Sequence, residues 1–234
     1  MDKFINFGLA GLVLGAGALM YSTLVPPTNN LQDIYTASVQ IGNYCSGTVI
    51  NDPDLSDGEQ FTVITAKHCL GKEQGIGTVL TVNVPQDNHN TYTKMTEIKV
   101  IVTDISKLSD LILLQGMKRD EGLDVSKVDI LEDEVKFGDY AISVSYPYGL
   151  SKFITDGYLG YVFPMLPFAD VSISTLYQLS SVPATAGSSG SGLFKEDNGQ
   201  YKLIGVLTGG MGFITCYTPV EEIRVFLGLN KKEN

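Results

Sequence analysis

The sequence predicts an all-β protein made of two six-stranded antiparallel β-barrels and one short C-terminal helix. After residue 33, short apolar runs rich in β-branched residues alternate with turn-forming clusters, and they fall into two groups of six separated by a charged stretch over 118–127. Short strands at such spacing are typical of barrels. Because 44% of the 234 residues are hydrophobic, the chain can fill two cores.

The N-terminal barrel is assigned to residues 34–117 and the C-terminal barrel, with its helix, to residues 137–228. Residues 118–136 form the connection between them, and residues 229–234 form a tail. The first six strands are predicted over residues 34–41, 44–50, 61–66, 77–84, 97–103 and 110–114. The second six are predicted over residues 137–145, 157–163, 171–179, 192–195, 203–208 and 213–217.

A capping box predicts the C-terminal helix. Thr218 would cap it, Pro219 would take the first helical position, and Glu221 would reach back to the cap. Gly228 would end it. Three apolar residues then share one helical face: Val220, Ile223 and Leu227.

Residues 1–25 are predicted to be a signal peptide or a membrane anchor. The run 4–25 has Asn6 as its one strongly polar residue and is long enough to span a bilayer. A shorter apolar region before Ala16-Gly17-Ala18 fits a cleaved signal equally well. Either route predicts a secreted, periplasmic or otherwise extracytoplasmic protein, and the anchor alone would add membrane association through residues 4–25. Residues 26–33, which start with two prolines, are predicted to be an extended linker.

The charge balance argues against some classes of partner. The formal charge is −10, the isoelectric point is about 4.6, and no run of lysines or arginines occurs. Nucleic-acid binding is therefore not expected. No cluster of cysteines and histidines suggests a metal site.

Residues 185–194, TAGSSGSGLF, place Ser189 among glycines between two apolar runs. Gly187 and Gly190 can adopt backbone angles that direct the amides of Gly187 and Ser189 to one point. Such amides could hold the oxyanion that forms when serine attacks a carbonyl. Taken alone, the stretch fits a flexible loop equally well.

A base and an acid are present upstream. His68 follows the strand predicted over residues 61–66, whereas His89 lies in a polar turn and is taken as solvated. Asp110 begins an apolar strand and is the first choice to orient the imidazole, with Asp104 second. Each of these side chains alone could equally have a structural role, such as capping a turn.

The motifs TAKHC at 65–69, DLILL at 110–114 and GSSGSG at 187–192 occur in the order His, Asp, Ser. In this order the chain, over residues 34–227, resembles the trypsin-like (chymotrypsin-fold) serine peptidases, especially their bacterial and viral branch. The resemblance implies an active site between two barrels, with His68 as general base, Asp110 as its orienter and Ser189 as nucleophile. The amides of Gly187 and Ser189 would form the oxyanion hole. It implies a polypeptide substrate and no metal or cofactor.

The resemblance also implies a disulfide between Cys45 and Cys69. By closing a loop in the unfolded chain, this bond would stabilise the fold by about 3 kcal/mol. Cys216 is left as a small buried strand residue. The substrate pocket would be walled by residues 181–186 and 208–211 with Thr215 nearby, and none of these is charged. The pocket residues so implied are Pro183, Ala184, Thr208, Gly210 and Thr215.

The predicted function is peptide-bond hydrolysis through an acyl-enzyme on Ser189. Two alternatives are a double barrel that binds without catalysis and an acyl hydrolase using the same triad. Zymogen-type relatives carry an aspartate immediately before the nucleophile, where this chain has Ser188. No Ile-Val-Gly-Gly sequence occurs near Ile34 either, so activation by cleavage at Ile34 is not expected.

Overall fold

The computed structural model describes residues 29–55, 60–86, 94–117, 125–164, 176–211 and 213–229. The first barrel contains β1 (Ser38–Ile41), β2 (Cys45–Ile50), β3 (Gln60–Thr65), β4 (Val79–Gln86), β5 (Lys94–Ile105) and β6 (Ile112–Met117). The second contains β7 (Tyr140–Ser145), β8 (Phe153–Pro164), β9 (Leu176–Ser180), β10 (Gly192–Asp197), β11 (Gln200–Met211) and β12 (Ile214–Pro219). Two α-helices flank them, α1 (Asn29–Ala37) and α2 (Val220–Phe226).

Both barrels are closed and antiparallel, and their strands follow the same order. The first runs β1-β2-β3-β6-β5-β4 and closes through β1 and β4, while the second runs β7-β8-β9-β12-β11-β10 and closes through β10 and β7. Closure pairs the edge strands that would otherwise expose backbone groups. The predicted all-β architecture with two six-stranded barrels and a terminal helix is confirmed.

Close packing inside the first barrel explains one of its glycines. Phe61 is fully buried, and its ring lies where a side chain at residue 116 would project. A Cβ on Gly116 would come within 2.6 Å of the Phe61 ring. Glycine at this position therefore lets an aromatic ring fill the barrel centre, where its burial contributes roughly 1.5–3 kcal/mol.

The start of the first barrel differs from prediction. Residues 34–37 were expected to be strand and residues 29–33 extended linker, but both belong to α1, so that strand prediction is wrong at its N-terminal half. The helix buries Ile34 and Ala37 completely, and the Ser38 hydroxyl donates to the Ile34 carbonyl at 2.7 Å. Leu31 packs on the same core, so apolar residues recur at helical spacing. Tertiary burial outweighs the β-propensity of Ile34 and Tyr35.

The C-terminal helix is present, but the predicted capping box is wrong. The helix starts at Val220 with Pro219 at its cap position, and no side chain caps it. The Thr218 hydroxyl is buried without a hydrogen-bond partner among the residues that the structure describes. The predicted end is confirmed, because Gly228 has φ 69° and its amide donates to Val225.

The connection between the barrels touches both of them. Val128 bridges to Ile50 of the first barrel, and Ile130 bridges to Leu203 of the second. The segment 1–25 lies outside the described residues, so its role as signal or anchor stays a prediction. Within the described ranges, no helix has the length and apolar character needed to cross a bilayer.

Candidate active site

His68 and Asp110 are brought together between β3 and β6. His68 lies in a 3-10 turn, Lys67–Cys69, directly after β3, and Asp110 lies two residues before β6. The His68 Nδ1 and the Asp110 Oδ2 are 2.6 Å apart, and the His68 amide donates to Oδ1 at 2.9 Å. The carboxylate therefore holds the ring in one orientation and favours a proton on Nδ1, which leaves Nε2 as an acceptor.

The second candidate acid is placed elsewhere. Asp104 is exposed in β5, and its carboxylate accepts a hydrogen bond from the neighbouring Ile105 amide at 2.7 Å. Asp110 is the better shielded of the two carboxylates, because only 15% of its side chain is exposed. His89 lies outside the described residues.

Residues 181–191, which connect β9 to β10 and carry Ser189, form the Ser189 loop. This loop lies against β2 and against the end of β3, directly before His68. The Ser189 carbonyl accepts a hydrogen bond from the Ser46 amide at 2.7 Å and lies 3.8 Å from the Cys69 sulfur. Gly190 has φ 82°, and a Cβ there would come within 2.0 Å of the Thr65 Oγ1. A glycine is thus required for the loop of the second barrel to approach the first so closely.

The amides of Gly187 and Ser189 have fixed directions. The Ala186 carbonyl accepts from the Tyr148 amide at 2.7 Å, and the Ser188 carbonyl accepts from the Ser191 amide at 3.0 Å. In a trans peptide the N–H points opposite to the preceding C=O. The Gly187 and Ser189 N–H groups therefore point away from these donors, and neither donates to an acceptor within the described ranges.

Steric contacts explain why residue 187 is glycine. Gly187 has φ 90°, and a Cβ there would lie 2.5 Å from both the Tyr146 carbonyl oxygen and the Tyr148 nitrogen. Tyr148 itself has φ 55°, which is uncommon for a residue with a side chain. The turn over 147–149 thus presses directly on the loop that carries Ser189.

Ser188 holds the same loop from inside. Its side chain is buried, and its hydroxyl donates to the Ser145 hydroxyl at 3.1 Å. The Thr185 amide donates to the Ser188 Oγ at 3.4 Å. All of these partners are uncharged, so the loop is held by neutral hydrogen bonds.

The disulfide between Cys45 and Cys69 is confirmed, with a sulfur–sulfur distance of 2.02 Å and a Cα–Cα distance of 6.2 Å. It ties β2 to the turn that carries His68. Cys216 is a free thiol in β12, as predicted for a strand residue, but it is half-buried where a buried side chain was expected. Its burial raises its pKa, which disfavours the reactive thiolate.

The predicted pocket residues lie at the start of the Ser189 loop and on β11 and β12. Thr215 is buried, and its hydroxyl donates to the Ser180 and Val182 carbonyls at 3.0 Å each. Gly210 pairs with Thr215 across the two strands. The half-buried Thr208 donates from its hydroxyl to the Cys216 carbonyl at 2.9 Å.

The other two pocket residues come from the segment before Ser189. Pro183 is exposed and Ala184 is half-buried against the core. Neither this segment, over 181–186, nor residues 207–217 contain a charged side chain. Within the described ranges, no group of three metal-ligating side chains occurs.

Sequence reasoning missed two residues that shape this site, Ser46 and Tyr148. Ser46 bonds to the Ser189 loop across 141 positions of sequence, and it stands in an ordinary strand pattern. For Tyr148, the only hint in the sequence was the neighbouring Gly149, which is typical of a tight turn. Neither role could be derived from residue type and spacing alone.

Comparison with known proteins identifies the family. The family model for "Lysyl endopeptidase, C-terminal domain" matches residues 24–222. No curated protein matches the chain. The inactive form of the Rv3671c protease is similar in structure, with TM-score 0.61 and 18% identity over 88% of this chain and 100% of the other. The active form of that protease, from M. tuberculosis, gives TM-score 0.63 and 17% identity over 86% and 84%. At such identities these structures show a common fold. The chain therefore belongs to the family of the lysyl endopeptidase C-terminal domain and is a trypsin-like serine endopeptidase.

Proposed function

We propose that the protein cleaves peptide bonds through an acyl-enzyme on Ser189, with His68 as general base and Asp110 as its orienter. The observation that carries this proposal is the His68–Asp110 pair, with a 2.6 Å contact, beside the loop that bears Ser189. Serine alone is a weak nucleophile and needs a neutral imidazole to take its proton.

The reaction proceeds in two halves. The Ser189 Oγ attacks the substrate carbonyl as its proton passes to the His68 Nε2, and the negative oxygen is stabilised by the amides of Gly187 and Ser189. The imidazolium then gives that proton to the departing amine, which leaves an ester on Ser189. Water then attacks the ester as His68 takes its proton, and the imidazolium returns that proton to the Ser189 Oγ as the acid departs. Asp110 orients the imidazole and stabilises the imidazolium.

Two alternatives compete with this assignment, a binding module without catalysis and an acyl hydrolase on the same triad. The Gly187 and Ser189 amides donate to no acceptor within the described ranges, and this favours catalysis, because a module that only binds has no need for free donors in a loop that carries a serine. The family match favours peptide over ester substrates.

A labelling experiment tests the triad. A fluorophosphonate probe should modify the wild type but not Ser189→Ala, and both Ser189→Ala and His68→Ala should lose nearly all peptide cleavage. Asp110→Asn should cost on the order of 10⁴ in rate, because the imidazole adopts the wrong tautomer. Asp104→Asn is the matched control and should be silent. Damage from Asp104→Asn combined with a silent Asp110→Asn would refute the choice of acid.

For substrate preference, we propose uncharged, small to medium side chains at the cleaved bond. The matched family is that of a lysyl endopeptidase, whose name indicates cleavage next to lysine. A substrate lysine buried in a pocket needs a carboxylate partner. Residues 181–186 and 207–217 contain no aspartate or glutamate. Thr215 adds only a hydroxyl, and it is already bonded to two carbonyls.

We also propose that the enzyme works outside the cytoplasm, either released or anchored by residues 4–25. The Cys45–Cys69 disulfide supports this, because such bonds persist in oxidising compartments. Fractionation of cells that express the full chain, with antibody detection, tests it. Recovery of reduced enzyme in the cytosol would refute it.

A further inference from the structure

Ser46, at the start of β2, contacts three parts of the active site at once. It is fully buried, and its amide donates to the Ser189 carbonyl at 2.7 Å. Its hydroxyl donates to the Gly187 carbonyl at 2.8 Å and accepts from the Tyr146 amide at 3.0 Å. Its carbonyl accepts from the Thr65 hydroxyl at 2.7 Å, which ties it back to the strand before His68.

We propose that the Ser46 hydroxyl is a positioning group of the first barrel that holds the backbone around Gly187, and through it keeps the oxyanion-binding amides of the second barrel in their catalytic orientation. The proposal rests on the function proposed above for Gly187 and Ser189. Ser46 touches no reacting atom and acts through the Gly187 peptides.

The reason lies in the freedom of Gly187. Because glycine has no Cβ, the peptides on either side of it can rotate at low steric cost. The Tyr148 amide holds the preceding peptide through the Ala186 carbonyl, and the Ser46 hydroxyl holds the following one through the Gly187 carbonyl. The Tyr148 bond holds the peptide that carries the Gly187 N–H. Without the Ser46 bond, the next peptide would keep only the bond from the Ser188 amide to the Thr185 carbonyl at 3.0 Å, and rotation at Gly187 would then be easier.

The same hydroxyl also supports the other holding group. By accepting from the Tyr146 amide, Ser46 fixes the start of the turn in which Tyr148 takes its φ of 55°. Left-handed backbone at a residue with a side chain persists only when its surroundings hold it there. One buried hydroxyl therefore constrains both peptides that flank Gly187.

The test compares Ser46→Ala with Ser38→Ala. Ser38 is an equally buried serine whose hydroxyl donates to a helix carbonyl, so the control removes a similar bond away from the Ser189 loop. Ser46→Ala should lower kcat by about 10- to 100-fold, while KM changes little. This decrease is smaller than the one caused by removing an oxyanion donor itself, because Ser46 acts only through the backbone. The affinity for a peptide boronate should fall by the same factor. Ser46→Thr keeps the hydroxyl and should restore both.

The readouts distinguish positioning from stability. Ser38→Ala should lower the melting temperature but leave kcat and boronate affinity unchanged. If Ser46→Ala does not fold, Ser46→Gly, which leaves room for a water between the two unpaired groups, should still lose kcat rather than KM.

Two outcomes would overturn the inference. The first is a Ser46→Ala variant whose kcat and boronate affinity equal those of Ser38→Ala. The second is a Ser46→Ala variant in which KM changes and kcat does not. Fluorophosphonate labelling of Ser189→Ala would instead refute the proposed function itself. An inactive Ser189→Ala beside an unaffected Ser46→Ala would refute this inference alone.

Discussion

Removing the Cys45–Cys69 disulfide should lower stability by an amount that follows from its place in the chain. The bond joins residues 24 positions apart. On the chain-entropy estimate, constraining a loop of that length in the unfolded state stabilises the fold by about 3 kcal/mol. For a chain of this size, each kcal/mol shifts the melting temperature by about 2–4 °C, so the expected decrease is about 6–12 °C.

The fold should survive this change. The His68 amide and ring remain bonded to Asp110, and the Ser46 amide still holds the Ser189 carbonyl. We therefore expect the variant Cys45→Ala/Cys69→Ala to stay active below its lower melting temperature. Both cysteines are buried, so the substitution also removes packed sulfur atoms and adds a cavity cost to the loss.

A reducing agent distinguishes the stability lost with the crosslink from the stability lost with the cavity. Scanning calorimetry with and without excess thiol should show that the wild type loses stability on reduction, whereas the double variant does not respond. Cys216→Ala is the matched control, since this thiol is free and the variant should respond to thiol as the wild type does. A double variant within 2 °C of the wild type under non-reducing conditions would refute the estimate.

Three further predictions follow from the pocket, the N-terminus and one ion pair. A peptide-library profile should show uncharged residues before the cleaved bond, and cleavage confined to lysine or arginine would contradict the neutral pocket. Active-site titration should label Ser189 equally in a protein that begins freely at Ile34 and in one extended by an unrelated N-terminal tag. Labelling seen only with the free Ile34 terminus would contradict a preformed site. Burial alone would raise the pKa of Asp139, but hydrogen bonds from Lys195 and the Lys136 amide lower it overall. The unfolded chain then binds more protons in acid, so stability should fall as pH drops through the ordinary carboxyl range toward that lowered pKa. Urea titrations should show a shallower acid decline for Asp139→Asn, and an unchanged decline would count against the ion pair.

The strands could be predicted because their signal is local. β-Branched runs bounded by turn residues located each of the twelve strands in the described part of the chain, with ends displaced by a few residues. Helix α1 was missed because it has only nine residues, and its helical spacing of Leu31, Ile34 and Ala37 is brief. Its burial against the barrels decides its conformation, and that contact cannot be derived from neighbours in sequence.

The candidate site was predictable to the extent that its residues sit in local motifs. His68, Asp110 and Ser189 each lie in a short pattern, and their order carried the family resemblance. Ser46 and Tyr148 act through contacts with Gly187 and Ala186 that join distant parts of the chain. Such contacts depend on how one barrel packs against the other, so they required the structure.

The hydrogen bonds around the Ser189 loop also explain how it can be ordered without a charge. In the zymogen-type pattern, a buried carboxylate before the nucleophile needs a newly formed ammonium. Here Ser188 bonds to Ser145 and the Ser46 hydroxyl bonds to Gly187. Hydroxyl and amide groups do not ionise in the physiological pH range, and they are present in the chain as synthesised. We therefore expect the loop to be ordered without a cleaved terminus, because none of the bonds that hold it depends on a new ammonium group.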